Sequence, residues 1–455
     1  MLIKSLYFQG MQTRKQQISA RAGSPKHVEW VWDTTFKTWL EGPGSFYWIT
    51  GLPGSGKSTL MRHICESRGT LDALQRSGHK WVAPHFFFDF RAGESMANSS
   101  EGMLRSLLYQ LVNRLPHVAD RIDHILFGDT FEHNSLQSCM DAICEAVTSS
   151  SEMVCAFVDG LDEFQGEALH LLDVIHSLED RAGIKVRLAS RPYSIFKRDL
   201  SRFPHLAMQN HNEESIRLYA ASKMGASRLQ ASLPERLVDG ICEKARGVFL
   251  WARLATDELS RNCLAGKSVE EMEACLGQMP AEVKDMYQRI LDQLPPVLEL
   301  EAVMLLYMLL DDTRSDTVNM SVRKLYVAFK AVISRLGPRA SILPIEVDAN
   351  NDARILAVLG DFLDMTEGSE LMTDHHLVTT DPSVPNTAPL LMFEEGNVCF
   401  GRSKTSIVSL THETLRSFLI GNVWLANRLP PVVRETDYFS FWPDLYKKEL
   451  TLVKT

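Results

Sequence analysis

The sequence lacks the features of a membrane protein or of a protein from an oxidising compartment. Its eight cysteines include no C-x-x-C pair, and several stand within apolar runs, which favours reduced, buried thiols over disulfides or a zinc site. The longest apolar run, Ala302 to Leu310, has nine residues, whereas a membrane-spanning helix needs about 20. The N-terminal residues show no basic-then-apolar pattern of a secretory signal. We therefore expect a cytoplasmic protein without a membrane span.

Positive charge is also scarce. Lysine and arginine number 48 against 57 aspartate and glutamate residues, which gives a formal net charge of −9. A chain with this balance lacks the broad basic surface that drives sequence-independent binding to nucleic acid. We therefore expect neither DNA nor RNA as a partner.

The composition is typical of a folded protein. Hydrophobic residues make up 45% of the chain and charged residues 23%, which argues against wholesale disorder, a coiled-coil rod or a collagen-like fibre. At about 150 residues per domain, the chain length corresponds to about three domains.

Short apolar runs alternate with helical patterns in the first half of the chain. The predicted strands are Phe46 to Thr50, Ala83 to Phe88, Met153 to Val158 and Lys185 to Ser190. Between the second and third strands, leucines recur at three- and four-residue spacing from Leu104 to Leu115, which is typical of an amphipathic helix. This alternation predicts an α/β fold, a parallel sheet with helices on both faces.

The strand signals fade after about Phe203, and the second half of the chain is mainly helical in pattern. The predicted helices here are Glu213 to Met224, Pro234 to Arg246, Val248 to Cys263 and Ala281 to Leu294, with a further helical region from Val297 to about Leu336. A last strand is predicted at Ser406 to Leu410, followed by a helix from His412 to Ile420. We therefore expect helical domains after the sheet.

The most specific motif is GLPGSGKST at Gly51 to Thr59, which fits the phosphate-binding pattern G-x-x-x-x-G-K-[ST] without a mismatch. It follows the first predicted strand and opens a helix, the strand-loop-helix order that this pattern requires. A purely structural glycine turn is the alternative, but it leaves the adjacent lysine and serine unexplained. The predicted nucleotide-binding residues of the loop are Gly51, Pro53, Gly54, Ser55, Gly56, Lys57, Ser58 and Thr59.

The chemistry of this loop is phosphate binding. Glycines let successive backbone N–H groups point inward, and the N-terminus of the following helix adds partial positive charge, so the loop forms a cradle for an anion. Lys57 would reach the β- and γ-phosphate oxygens, and the Ser58 hydroxyl would coordinate a Mg²⁺ ion that bridges them. The expected cofactors are ATP or ADP, with GTP as an alternative, and Mg²⁺.

Three carboxylates follow the third predicted strand. Asp159, Asp162 and Glu163 stand within five residues where an apolar strand meets a loop, an arrangement that is costly without a cation or a basic partner. We assign Asp159 to the metal and Glu163, or alternatively Asp162, to the attacking water. A solvated acidic turn is the competing interpretation.

Arg191 ends the fourth predicted strand. A guanidinium matches phosphate geometry and offsets the charge that builds during phosphoryl transfer, so an arginine at this position is a candidate sensor of the γ-phosphate. An arginine that pairs with a neighbouring acid is the alternative.

Taken together, these motifs resemble the NACHT class of P-loop NTPases within the STAND group, especially fungal NOD-like receptors and proteins with a nephrocystin-3-like NTPase domain. The segments that carry the resemblance are FYWITGLPGSGKSTLM, FVDGLDE, LASRP and GVFLWARL, with further similarity in SLYFQGMQTRKQQI and GMLRSLLYQL. The resemblance implies the roles given above for Lys57, Ser58, Asp159, Glu163 and Arg191.

The resemblance also implies a domain order and a switch residue. It places a NACHT P-loop NTPase core at residues 31–205 after an N-terminal segment at 1–30, then a helical domain at 206–295, a winged-helix-like and helical domain at 296–430 and a tail at 431–455. In the family, a histidine at the start of the winged-helix segment binds the β-phosphate of ADP, and THETLRSFL places His412 there. A histidine that caps its own helix is the alternative.

One departure from the family concerns base recognition. Many relatives carry a Gly-x-Pro pattern near the adenine, but here Gly247 and Val248 are followed by Phe249. The choice between ATP and GTP therefore stays open.

The leading hypothesis is a slow, regulatory NTPase that acts as a nucleotide-dependent switch. Bound ADP would pin the C-terminal lobe through His412, and exchange for ATP would free the chain to form a homo-oligomer that engages signalling partners. The alternatives are a P-loop phosphotransferase that acts on a small metabolite and a scaffold that binds nucleotide without hydrolysing it.

Overall fold

The computed structural model divides the chain into two compact units, Met1–Arg289 and Ile290–Thr455. It describes residues 25–76, 78–89, 96–123, 133–148, 152–179, 181, 183–226 and 235–312. It also describes the shorter pieces 5–8, 11–12, 14–15, 18, 320–322, 325–326, 329, 355, 359, 362–370, 392–394, 397–399, 403–410, 412–420 and 422–428.

A parallel six-stranded sheet forms the centre of the first unit. Its strands are β1 (Phe46–Thr50), β2 (Lys80–Val82), β3 (His85–Phe87), β4 (Glu152–Asp159), β5 (Ile184–Ser190) and β6 (His205–Ala207). The order is β2-β4-β5-β1-β6, with β3 also paired to β4. β5 therefore lies between β1 and β4, with Thr50 opposite Ser190 and Asp159 opposite Ala189. The predicted α/β fold is confirmed.

Two details of the sheet differ from the sequence prediction. The apolar run from Ala83 to Phe88 was expected to form one strand, but β2 ends before it and β3 begins after Pro84. Proline has no N–H to donate to a strand ladder, and here only its carbonyl takes part, accepting from Phe157 N at 2.9 Å. The short edge strand β6 was not predicted, because three residues carry too little pattern.

Helices cover both faces of the sheet. In chain order they are α1 (Thr35–Glu41), α2 (Lys57–Glu66), α3 (Arg68–Gln75), α4 (Ser100–Arg114), α5 (Pro116–Asp123), α6 (His133–Thr148), α7 (Ala168–His176) and α8 (Ser194–Leu200). Two buried apolar clusters result. One packs the leucines of α4 and residues of α6 and α7 on one side of the sheet, and the other packs α1, α2 and α3 on the opposite side.

The central strands are buried along their whole length. Every residue of β1 and β5 is buried, although β5 contains Lys185 and Arg187. Lys185 donates from Nζ to the carbonyl oxygens of Trp39 at 2.9 Å and Gly44 at 3.1 Å, and the Arg187 guanidinium lies 4.1 Å from the centre of the Phe36 ring. The interior on this side of the sheet therefore carries positive charge.

A helical layer follows the sheet in the same unit. It contains α9 (Glu213–Ala226), α10 (Glu235–Ala245), α11 (Phe249–Leu264), α12 (Val269–Gln278) and α13 (Val283–Asp292), which reaches the start of the second unit. Four of these helices were predicted, and α12 was missed. Its start is fixed by a capping box, in which the Ser268 hydroxyl accepts from Glu271 N and the Glu271 carboxylate accepts from Ser268 N.

The second unit combines helices with antiparallel strands. Among the residues described there, the helices whose bounds are defined are α14 (Pro296–Asp312), α15 (Glu413–Ile420) and α16 (Val423–Arg428). Strands β7 (Met320–Ser321), β8 (Leu363–Glu370) and β11 (Ser403–Leu410) form one sheet in the order β7-β11-β8, and β9 (Met392–Glu394) pairs with β10 (Asn397–Cys399). These element types fit the expected winged-helix-like region, while the finer domain boundaries remain predictions.

The expectations for the cysteines and for membrane-spanning helices can be compared with the structure. The seven cysteines of the first unit are free thiols. Among the helices that the structure describes, none is both long and apolar enough to cross a membrane.

Candidate functional site

The phosphate loop joins β1 to α2 at the carboxyl end of the sheet. Gly54 and Gly56 have φ angles of 74° and 94°, a left-handed conformation that a residue with a Cβ adopts only at a cost. A Cβ added at Gly54 would lie 2.6 Å from the Cβ of Leu250, so glycine is also required there for packing. The helix begins at Lys57, which leaves its first backbone N–H groups directed at the loop.

All the loop residues singled out by sequence lie in this turn or in the first turn of α2. Pro53 and Ser55 belong to the turn, where Ser55 is buried and its backbone N–H donates to Leu52 O at 3.1 Å. Ser58 and Thr59 follow Lys57 in the first turn of the helix. The contiguous motif therefore forms one loop and helix start, and its role as an anion cradle remains a prediction.

Lys57 is held by the loop itself. Its Nζ donates to Gly51 O at 2.9 Å and to Leu52 O at 3.2 Å. Burial lowers the pKa of Lys57, while the negative charges of Asp162, Asp159 and Glu163 act in the opposite direction. The electrostatic influence of these three carboxylates shows that the loop lysine and the acidic strand end share one site.

Asp159 is the last residue of β4 and is 1% exposed. Burial raises the pKa of Asp159 to about 6, although a hydrogen bond from the Ser58 hydroxyl acts to lower it. Within the described part of the chain, Asp159 Oδ1 has no hydrogen-bond partner. A buried carboxylate oxygen without a donor is costly by itself and suits a cation.

The donor set fits Mg²⁺ held together with a nucleotide. Among the residues that the structure describes, no group of three or more His, Cys, Asp and Glu side chains is placed to hold a metal by itself. Mg²⁺ in nucleotide sites is usually bound by one or two carboxylates together with substrate phosphates and water. Ser58 and Asp159, in contact through their side chains, match that donor set.

Asp162 and Arg191 form a close ion pair. Arg191 Nε lies 2.8 Å from Asp162 Oδ2, and the backbone N–H of Arg191 donates to Asp162 Oδ1 at 2.8 Å. Arg191 also donates from Nη1 to the Tyr193 hydroxyl at 3.2 Å. Arg191 is therefore paired with a neighbouring acid, which was the alternative interpretation from the sequence. Both oxygens of the Asp162 carboxylate contact Arg191.

Glu163 has a different partner. Gly160, with a φ angle of 78°, turns the chain from β4 into a 3₁₀ turn at Leu161–Glu163, which brings Glu163 back toward the sheet end. There Glu163 Oε1 lies 3.5 Å from Nη2 of Arg14, a residue of the N-terminal segment. Sequence reasoning did not identify Arg14, because an isolated arginine in a polar stretch carries no pattern.

The strand order explains how these residues meet. The carboxyl ends of parallel strands lie at the same edge of a sheet, where open α/β sheets bind their ligands. In the observed strand order, β5 lies between β1, which leads into the phosphate loop, and β4, which ends at Asp159. Arg191 directly follows β5 and pairs with Asp162 at this edge of the sheet.

The helical layer contacts the phosphate loop directly. Asn212 Nδ2 donates to Ser55 O at 2.6 Å and to Gly247 O at 2.8 Å, and Leu250 N donates to Gly54 O at 2.9 Å. These contacts join α11 to the loop, and Asn212 was not singled out by the sequence analysis. An asparagine that bonds two backbone carbonyls across about 35 and 157 residues of sequence gives no local signal.

His412 lies in the second unit, immediately before α15. Its Nδ1 accepts from the backbone N–H of Thr414 at 3.1 Å and lies 2.9 Å from the Thr414 hydroxyl. The histidine therefore caps its own helix, which was the alternative interpretation from sequence. A contact between His412 and nucleotide remains a prediction.

Comparison with known proteins gives one family match. Residues 26–191 match the family model described as Nephrocystin 3, N-terminal. No curated protein matches the chain.

Several solved structures are similar to the chain at low identity. The ORC1 protein of Aeropyrum pernix, in complex with DNA, is 12% identical with a TM-score of 0.31, over 91% of this chain and 94% of that one. A STAND protein with a tetratricopeptide repeat sensor from Pyrococcus horikoshii is 11% identical with a TM-score of 0.40, over 86% of this chain and 43% of that one. Cdc6p from Pyrobaculum aerophilum is 12% identical with a TM-score of 0.30, over 94% of this chain and 98% of that one.

The family match covers the three motifs that form the site. The phosphate loop, the acidic end of β4 and Arg191 all lie within residues 26–191. The parallel sheet and the glycine loop before α2 agree with that assignment. Residues 26–191 are therefore similar to the nephrocystin 3 N-terminal family, and the predicted resemblance to P-loop NTPases of the NACHT and STAND class is confirmed over this part of the chain.

Proposed function

We propose that this chain is a NACHT-type signalling NTPase, a nucleotide-dependent conformational switch with slow hydrolysis that acts in immunity-like or incompatibility signalling of the fungal kind. The observation that carries the proposal is the juxtaposition of Lys57 and Ser58 with the carboxylates at the end of β4. A glycine turn with only a structural role has no need of a buried carboxylate against its serine.

The residues divide the chemistry between them. Backbone N–H groups of the loop and Lys57 would bind the phosphate tail, and Lys57 would exchange its present loop carbonyl partners for phosphate oxygens. Ser58 and Asp159 would hold Mg²⁺, which neutralises charge on the phosphates when bound. Glu163 would orient the attacking water and accept its proton.

Direct bonds from the loop to the helical layer support a switch. Asn212 and Leu250 hold carbonyl oxygens of Ser55 and Gly54, so a movement of the loop on phosphate binding changes the positions of α9 and α11. A ligand shifts a conformational equilibrium only by its differential affinity for the two states. Because the loop carbonyls accept hydrogen bonds from the helical layer, the two positions of that layer would differ in their affinity for nucleotide.

The test of the nucleotide site is calorimetric binding of Mg-ATP and Mg-ADP. We expect Lys57→Ala to lose at least about 100-fold in affinity, because a buried charge partner of the phosphates is removed. The matched control is Lys80→Ala, since Lys80 is an exposed lysine of the same sheet that pairs with Glu152 at 2.8 Å. Equal affinity in the unaltered chain and Lys57→Ala would refute the site assignment.

The switch itself is tested by native mass measurement with ADP and with a non-hydrolysable ATP analogue. We expect the ADP complex to stay monomeric and the ATP-analogue complex to form a homo-oligomer. The same mass in both states, with nucleotide bound in both, would contradict the switch and leave the binding site intact.

A further inference from the structure

The N-terminal segment is fixed to the core on both sides of the sheet. Leu6 is fully buried in the cluster that contains α4, and Ile18 is buried in the cluster that contains α1 and α2. Arg105 Nη2 donates to Ser5 O at 2.9 Å, and Lys15 Nζ lies 3.1 Å from Glu66 Oε1. The described residues between 5 and 18 therefore pass from one face of the sheet to the other.

Arg14 lies in this crossing, at the acidic end of the sheet. It is 9% exposed, and besides its contact with Glu163 its Nη1 lies 3.9 Å from Oδ1 of Asp89. Asp89 follows β3 and is 2% exposed. Arg14 also acts electrostatically on Asp159, where it lowers the pKa that burial raises.

Several carboxylates lie close together at this end of the sheet, which favours a positively charged partner. Asp89, Asp159 and Glu163 are carboxylates with side chains largely removed from water, and Asp162 is already paired with Arg191. An arginine close to Glu163 offsets the negative charge of that largely buried carboxylate. The planar guanidinium also restricts the directions in which the carboxylate points.

We propose that Arg14 is a positioning residue for nucleotide hydrolysis, which holds the Glu163 carboxylate and directs it at the attacking water. This inference rests on the proposed function. In the reaction, the water oxygen bonds to the terminal phosphorus and the bond from that phosphorus to the bridging oxygen breaks. The electron pair leaves with the nucleoside diphosphate, and the proton of the water passes to Glu163.

A role for Arg14 in hydrolysis would extend the NTPase site into the N-terminal segment. The family match begins at residue 26, so Arg14 lies outside the matched core although its guanidinium contacts the carboxylate assigned to the water. We therefore place the N-terminal segment within the NTPase site rather than beside it.

The experiment measures steady-state phosphate release from Mg-ATP, with kcat and KM determined separately, and the affinity for Mg-ATP. We expect Arg14→Gln to lower kcat about tenfold while KM and affinity stay within about threefold, because a misplaced base affects the chemical step and not binding. Arg14→Lys keeps the positive charge but not the planar guanidinium, so we expect it to recover only part of the loss. Lys15→Gln, on the same segment but paired with Glu66, is the matched control and should leave both constants unchanged.

A double-mutant cycle separates positioning from a structural role. If Arg14 acts through Glu163, adding Arg14→Gln to Glu163→Gln lowers kcat no further than Glu163→Gln alone. Independent, multiplicative losses would overturn the inference, as would an unchanged kcat in Arg14→Gln. Arg14→Met, which keeps most of the apolar stem, replaces Arg14→Gln if that variant does not fold.

The outcomes also separate this inference from the proposed function. If the unaltered chain binds Mg-ATP but releases no phosphate, the role of Arg14 in hydrolysis is refuted while the nucleotide site stands. If the unaltered chain binds no nucleotide, the proposed function is refuted, and the role of Arg14 is refuted with it.

Discussion

The phosphate loop and the acidic end of the sheet reach their electrostatic balance in different ways. The positive charge of the loop is held locally, since Lys57 donates to two carbonyl oxygens of the loop itself, and Gly54 and Gly56 supply the loop's unusual conformation. The acidic end depends on distant partners, because Glu163 is paired with Arg14 from the N-terminal segment and Asp162 with Arg191, which follows β5.

This difference predicts how the two regions respond to change. Because Lys57 is held within the loop, we expect its substitution to act on nucleotide binding. The acidic end carries more carboxylate charge than its own strand can neutralise, so its substitutions act on hydrolysis and on the pH dependence of stability.

The largest effect we expect concerns Asp162 and Glu163, neighbours in sequence with different partners. Glu163→Gln should lower kcat for phosphate release about 1,000-fold with affinity for Mg-ATP retained, because the amide cannot accept the proton of the attacking water. Asp162→Asn should lower kcat much less, since its carboxylate orients Arg191 instead of water. Steady-state kinetics and calorimetry check both, and a larger loss in Asp162→Asn would reverse the assignment.

A smaller effect is expected where the helical layer supports the loop. Gly247 has a φ angle of 77°, and a Cβ there would lie 2.0 Å from Gln209 O, so Gly247→Ala should lower the free energy of unfolding by about 3 kcal/mol. Gly78→Ala is the matched control, with a φ angle of 78° and open space around the added Cβ, and it should cost about 1 kcal/mol. Urea unfolding checks the pair, and equal costs would show that packing against Gln209 contributes nothing.

The smallest effect we expect is pH-dependent. The folded pKa of Asp159, about 6, lies above its usual value of 3.8, so its protonated form stabilises the fold fully below pH 3.8 and this contribution is lost as pH rises through about 6. Asp159→Asn should therefore raise the free energy of unfolding at pH 8 by about 2 kcal/mol in the absence of Mg²⁺ and nucleotide. The difference should shrink when unfolding is measured at pH 4, and a constant difference would contradict the assignment.

Contiguous patterns were predictable from the sequence. β1 was predicted with its observed bounds, and β4 and β5 each begin one residue before their predicted starts. These strands are central and buried on both faces, so their apolar runs are continuous and easy to identify. The phosphate loop was likewise predictable, because its chemistry is held in consecutive residues.

Features assembled across the chain were not predictable. Arg14 and Glu163 are separated by 149 residues, and no local pattern indicates that they meet. The capping box of Ser268 and Glu271 was, by contrast, a local signal that was present and was missed, so α12 was predictable in principle.

The most direct test of the account is a crystal structure with Mg²⁺ and a non-hydrolysable ATP analogue. The account predicts the β- and γ-phosphates on the backbone N–H groups of the loop and on Lys57 Nζ, with a magnesium ion between Ser58 and Asp159. Nucleotide bound elsewhere, with Lys57 still donating to Gly51 O and Leu52 O, would contradict it.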